Sequence, residues 1–176
     1  MKIFLLCNVL FYLTFLSYSQ TADTLKSSKP KPFLIPNTKI LITPPAHFKF
    51  VEKINGFIHI GSSASITVTS VEGTSYLQVT DGLTSDYFKT QNAILVSTED
   101  VKTSNGVDGK LYTLSFTTIS KDTTKKVLQF ERMMLFTGDY HNTIWLNASY
   151  PSVLKKLLYP ALKESLLSVK FNETKE

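Results

Sequence analysis

The alternation of apolar and polar positions divides the chain into a strand-rich centre and a helical end. From Ser65 to Val71, Ile66 and Val68 fall on one face and Thr67 and Thr69 on the other, the period of two of a half-buried strand. Ile94–Thr103, Lys110–Ile119, Lys126–Phe136 and Tyr140–Tyr150 are further extended runs. Turn residues separate them: Asn105-Gly106 and Asp108-Gly109, then Lys121-Asp122, then Gly138-Asp139. Runs joined by short turns predict an antiparallel meander, with Tyr112, Leu114 and Phe116 on one face. Two shorter strands come first. Thr38–Thr43 is stopped by Pro44-Pro45, and Ala46-His47-Phe48 follows as a loop. Phe57–Ile60 ends at a Gly61-Ser62-Ser63 turn.

The period changes twice. Between Gly73 and Gln91, Tyr76, Leu77, Val79, Leu83, Tyr87 and Phe88 fit one or two short helices broken at Gly82, with Thr84-Ser85-Asp86 as the N-cap region of the second. From Pro151 onward, Leu154, Leu157, Leu158, Ala161, Leu162 and Leu166 form a helical stripe. Pro151 suits a first turn. The ring of Pro160 meets the carbonyl of Lys156, which predicts a kink or two abutting helices. Ser168–Phe171 is expected to be extended. A sheet with one apolar face needs a cover, and this helix supplies it. Leu154, Leu158, Leu162 and Leu166 should be buried, with Lys155, Lys156, Lys163 and Glu164 in water. Met134, Phe136, Ile144, Trp145, Leu146 and Ala148 belong to two strands of the meander, which supplies the receiving face, and Met133-Met134 reads as core filler. Trp145 lies opposite Ile144, Leu146 and Ala148. It packs beneath the tether or a helix, or stands exposed as an anchor for a partner.

The first residues belong to a different kind of segment. Lys2 precedes an apolar run, Ile3–Leu16, interrupted by Asn8 and Thr14. Ser17-Tyr18-Ser19 then places small residues for cleavage between Ser19 and Gln20. The run is shorter than the roughly 20 apolar residues of a spanning helix, which favours a cleaved signal over an anchor. Cys7 comes too early for a lipoprotein signal, and Gln as the new first residue resembles exported proteins of Bacteroidetes. The expected organisation is a signal at 1–19, a tether at 20–37, a domain at 38–171 and a tail at 172–176. The tether carries Pro30, Pro32 and Pro36, although Phe33, Leu34 and Ile35 are candidates to dock on the domain. Asp23-Thr24-Leu25 resembles a short O-glycosylation motif, and Asn147-Ala148-Ser149 and Asn172-Glu173-Thr174 fit the N-glycosylation pattern.

Composition adds three limits. At 176 residues, 43% hydrophobic and 19% charged, the chain suits one globular domain with a leader. The formal charge of +5 comes from scattered lysines, paired only at Lys125-Lys126 and Lys155-Lys156, which reads as solvated surface rather than a nucleic-acid patch. The single cysteine, Cys7, lies in the leader, so the mature chain is expected to have no disulfide, thiolate nucleophile or cysteine metal site.

The order of elements resembles the PsbP/Mog-like α/β fold, a family that includes PsbP, the Ran-binding Mog protein and DcrB-type envelope proteins. The residues that carry this are Pro44-Pro45-Ala46-His47-Phe48, Leu83-Thr84-Ser85, Ser97-Thr98-Glu99-Asp100-Val101 and Leu166-Leu167-Ser168-Val169-Lys170-Phe171. His47 stands where the family usually has Gly. The resemblance implies an α+β domain: an antiparallel meander covered by a central helical segment and a long C-terminal helix. It brings no shared catalytic residues, and its members act mainly by binding proteins.

The residues themselves point the same way. Gly61-Ser62-Ser63-Ala64-Ser65 only superficially suggests a nucleophile elbow, and no phosphate-cradling or dinucleotide motif is present. His47, His59 and His141 are far apart, without helical ligand spacing, and read as surface residues rather than a zinc site. Asp81 and Asp86 lack calcium-loop spacing. The expectation is an exported accessory protein with no catalytic, cofactor or metal residues. It would act through an envelope protein partner, without nucleic acid, and touch the membrane only through the export signal. The alternatives are a small-molecule or metal-binding module, or an unrecognised hydrolase.

Overall fold

The computed structural model describes residues 30–119 and 126–171. The signal and its cleavage point at Ser19 and Gln20, most of the tether, the Lys121-Asp122 turn and the Asn172 motif lie outside the described residues. The strands are β1 (Phe33–Leu34), β2 (Ile40–Ile42), β3 (Lys49–Val51), β4 (Gly56–His59), β5 (Ala64–Glu72), β6 (Ala93–Lys102), β7 (Asp108–Ile119), β8 (Val127–Gly138), β9 (Asn142–Pro151) and β10 (Lys170–Phe171). The helices are α1 (Tyr76–Thr80), α2 (Ser85–Thr90) and α3 (Lys155–Leu167).

Seven strands form one antiparallel sheet in the order β3-β4-β5-β9-β8-β7-β6, and β1-β2-β10 form a second. The expected meander is β6 to β9. The fold is α+β, with the C-terminal helix on the sheet. The sheet has two apolar faces rather than one. Leu111, Met133, Leu135, Ile144, Leu146 and Tyr150 pack with Leu158, Leu162 and Leu166 of α3 and with Ile35, Ile40 and Ile42. On the opposite face Tyr112, Leu114, Met134 and Phe136 lie under Phe88, with Val79 and Leu83 beside them. Successive strand residues point to opposite faces, so Met133 and Met134 fill different cores.

One irregularity decides which residues of β6 face which layer. The β6–β7 register shifts between Leu95 and Ser97, leaving Val96 as the extra residue of a bulge. Before it, Ala93 and Leu95 belong to the α2 face. After it, Val101 packs on the α3 core and Glu99 accepts from Lys163 Nζ at 2.7 Å.

Several expectations are corrected. The stripe of α3 is narrower than predicted: Leu157 is 72% exposed, Ala161 is exposed and Leu154 is half-buried. Lys163 is not fully in water, and Lys155 Nζ donates to Glu131 Oε1 at 3.0 Å. Pro160 neither splits nor ends the helix. Pro160 and Lys156 are both on the exposed side, so the carbonyl that loses its amide partner faces solvent. Pro151 ends β9 and precedes a 3-10 turn at Ser152–Leu154 instead of opening α3. Asp108-Gly109 begins β7; the hairpin turn is Thr103–Val107, with Gly106 at φ +84°. The domain reaches back into residues assigned to the tether, because β1 pairs with β2 and Ile35 is fully buried. Ala46-His47-Phe48 is a loop as expected, and β3 follows directly on it. The pair of short helices is as predicted, with Gly82 left-handed between them and Thr84 Oγ1 accepting from the Tyr87 amide.

Gly56 gives the fold a sharp local test. It opposes Thr67 in the β4–β5 pair, and a Cβ there would lie 2.0 Å from the Ile66 carbonyl oxygen. Gly56→Ala must push β4 off β5, and overpacking of this kind costs about 1–3 kcal/mol or more. Gly61→Ala meets only the His59 side chain at 3.4 Å and serves as the near-neutral control. Urea melts that fail to separate the two variants would contradict this register.

Candidate functional site

The feature that stands out lies on the α1–α2 face. Helices of 5 and 6 residues cannot cover a sheet whose strands run to 12. The capping box between Ser75 and Gln78 fixes α1, and the Thr84 cap fixes α2. Beyond them a groove of about 500 Å³ remains open over the sheet. Val79, Leu83, Tyr87 and Phe88 form its wall, and Leu114, Phe116, Met134, Phe136 and Trp145 its floor. Gln91, Asn92, Thr117 and Arg132 are its polar lining.

The floor is an aromatic chain. Phe136 stacks on Trp145 at 5.4 Å and 17°, and meets Tyr112 edge-on at 5.9 Å. Tyr112 in turn lies 5.7 Å from Phe88. Farther along, Phe116 stacks on Phe130 at 5.9 Å and 25°. The Arg132 guanidinium lies 5.0 Å over the Phe116 ring, a cation–π position, and its Nε donates to Ser149 Oγ at 3.2 Å.

Arg132 is the only charged residue in the lining. Burial pulls its pKa below the usual arginine range, though such a group stays protonated at neutral pH. Its neighbour Glu131 would be an obvious partner, but strand alternation sends that carboxylate through to the other face. There Glu131 Oε2 accepts from the Tyr150 hydroxyl at 2.8 Å, and Oε1 from Lys155. Burial, and then the hydrogen bond to Glu131, push the Tyr150 hydroxyl above its ordinary pKa. Among the described residues every ion pair involves a lysine, so Arg132 has no carboxylate partner there. Two buried atoms on the same face, Trp145 Nε1 and Asn147 Oδ1, also lack partners among the described residues.

The residues singled out from sequence distribute as follows. Trp145 packs beneath the helical segment, half-buried in the groove floor. Asn147 lies on β9 between β5 and β8 with its Oδ1 buried, a poor position for a glycan acceptor. His47 and His59, distant in sequence, come together with ring centroids 6.5 Å apart. His47 has φ +66°, so its backbone takes the left-handed conformation that glycine favours. His59 Nδ1 is 2.8 Å from Ser62 Oγ, and that hydroxyl also accepts from the Ala64 amide, tying the turn. His141 is exposed beside Asp139. Among the described residues no group of three or more His, Cys, Asp or Glu converges on one point. Asp86 pairs with Lys89 at 2.7 Å, and that hydrogen bond holds its carboxyl below the usual range.

The groove itself escaped sequence reading. Its signal was Arg132, next to Glu131 on the other face and just before the apolar run Met133–Phe136.

No family model matches the sequence, and neither does any curated protein. The fold is similar to the solution structure of cyanobacterial PsbP (CyanoP) from Synechocystis sp. PCC 6803, at 11% identity and a TM-score of 0.53, covering 84% of this chain and 95% of that one. A crystal structure from Bacteroides thetaiotaomicron VPI-5482 is also similar, at 11% identity and a TM-score of 0.47, covering 85% of this chain; the chain spans about half of that protein, 51%. The architecture is thus PsbP-like. The narrower likeness to DcrB-type proteins rests on the sequence motifs alone.

Proposed function

We propose that this PsbP-like domain belongs to an exported accessory protein that works by binding, without catalysis of its own, and that the groove beside α1 and α2 is its binding site. The groove carries the reading. Its volume of about 500 Å³ lies within the roughly 300–1,000 Å³ of small-ligand sites, and its lining mixes an aromatic floor with a few convergent polar groups. Those groups suit recognition. The histidines, the residues most often used for proton transfer near neutral pH, lie outside this lining. Export is supported by the leader, with cleavage between Ser19 and Gln20. Among the described residues no helix is long and apolar enough to cross a membrane.

A protein partner is the second reading, and one observation favours it. Among the described residues β6 ends the large sheet, and Ile94 and Val96 on it are 67% and 53% exposed. An outer strand of this kind can receive a strand from another chain.

Mass spectrometry of the protein from its native source tests the proposal. The denatured chain should have a mass that begins at Gln20, and the native form should carry an additional non-covalent mass. A retained Met1 would overturn export. A purified protein that turned over small ester or amide substrates, with loss of activity in Ser62→Ala, would overturn the accessory reading.

A further inference from the structure

Resting on the reading that the groove binds, we infer that it takes a small amphipathic monocarboxylate: the carboxylate on Arg132, the apolar body along Phe116, Met134 and Trp145. Charge complementarity sets the anion. A half-buried guanidinium whose sole side-chain partner among the described residues is Ser149 leaves its outer N–H groups free for a two-point contact. A carboxylate matches that planar fork bidentately. The lining contains no second cation and no acid, so a single negative charge neutralises it, whereas a dianion would be left half-compensated.

The floor sets the size class. β7, β8 and β9 are each paired on both sides, so they have no open edge for an extended polypeptide. The remaining hydrogen-bonding side chains are few: Gln91, Asn92 and Thr117 at the rim, the Tyr87 hydroxyl and the Trp145 indole N–H. A ligand held there therefore needs few backbone-like groups and much apolar surface, which describes a free alkyl or arylalkyl acid better than a peptide terminus.

Trp145 is the only tryptophan of the chain and lies in the groove, so its fluorescence reports occupancy directly. Native protein, stripped of bound material, is titrated with dodecanoate, dodecanol and dodecyltrimethylammonium below their micellar concentrations. Dodecanoate should shift Trp145 emission saturably and bind at least ten-fold more tightly than dodecanol, with the cation weakest. Arg132→Gln should erase the acid–alcohol difference and leave dodecanol binding unchanged, and Arg132→Lys should retain part of it. The acid–alcohol contrast in the unaltered protein needs no variant, so a misfolded Arg132 substitution does not blunt the test. Equal binding of acid and alcohol would overturn the carboxylate assignment while leaving a binding groove. Saturable binding of a peptide with a free C-terminal carboxylate, without dodecanoate binding, would overturn the small-molecule class. No response to any of these probes would overturn both this inference and the groove as a binding site.

Discussion

Leu158→Ala combined with Leu162→Ala should leave the protein largely unfolded at room temperature. Leu162 and Leu166 are fully buried and Leu158 nearly so, and all three belong to the core between α3 and the sheet. Truncating a buried leucine costs about 2–5 kcal/mol, the lost transfer energy plus the cavity left behind. Two such losses approach the roughly 5–15 kcal/mol that holds a whole domain together. The two positions are one turn apart and share a cavity, so their effects need not add, but either alone should lower the melting temperature clearly. Leu157→Ala is the control. Leu157 has the same chemistry and sits next to Leu158, yet it is 72% exposed, and its loss should be nearly silent. Polar ties do not rescue the double variant. Lys155–Glu131 and Lys163–Glu99 join α3 to the sheet, but the part-exposed Lys163–Glu99 pair contributes only about 0–1 kcal/mol, and the attraction of Lys155 to the buried Glu131 is offset by desolvation of that carboxylate. Thermal melts showing small, equal effects from Leu158, Leu162 and Leu157 would mean that α3 is peripheral and the core is elsewhere.

Why the stripe was legible and the second core was not has a physical answer. The spacing of Leu154, Leu158, Leu162 and Leu166 survives any local irregularity, because helical periodicity is carried by the whole run. It overstated the width of the buried face: Leu157 and Ala161 are exposed. For the strands, alternation finds one buried face and hides a second. Met133-Met134-Leu135-Phe136 is a continuous apolar run, the pattern of a strand covered on both sides, and it was legible in principle. β1, of two residues, and β3, of three, are too short to show any period. The bulge at Val96 is invisible for another reason. β6 goes on alternating between exposed and covered positions through it, while the layer being faced changes. The groove depends on how far α1 and α2 reach across the sheet, and the meeting of His47 with His59 depends on a left-handed turn. Neither is a property of spacing.

Phe136→Ala should be the most damaging single change on the groove side. Phe136 is 2% exposed and is the junction of the aromatic chain, stacked on Trp145 and edge-on to Tyr112. Removing a buried phenyl ring costs about 3–5 kcal/mol. Each well-oriented aromatic pair adds about 0.5–1.5 kcal/mol beyond area burial, and Phe136 makes two of them. Phe136→Leu keeps most of the volume and forfeits the ring geometry, so it should retain much of the stability. The same substitution reads out the site. Trp145 rests against the ring that is lost, so its emission should move to longer wavelength in Phe136→Ala while the protein is still folded in mild conditions. Phe116→Ala is the contrast. Phe116 is only half-buried at the other end of the floor, and its loss should cost less stability and leave Trp145 emission in place, although it removes the ring beneath Arg132. If Phe136→Ala lowered stability by less than about 1 kcal/mol, below the range for a buried ring, and left the Trp145 spectrum unchanged, the two residues would not be stacked. The groove would then lack the rigid floor on which its proposed selectivity depends.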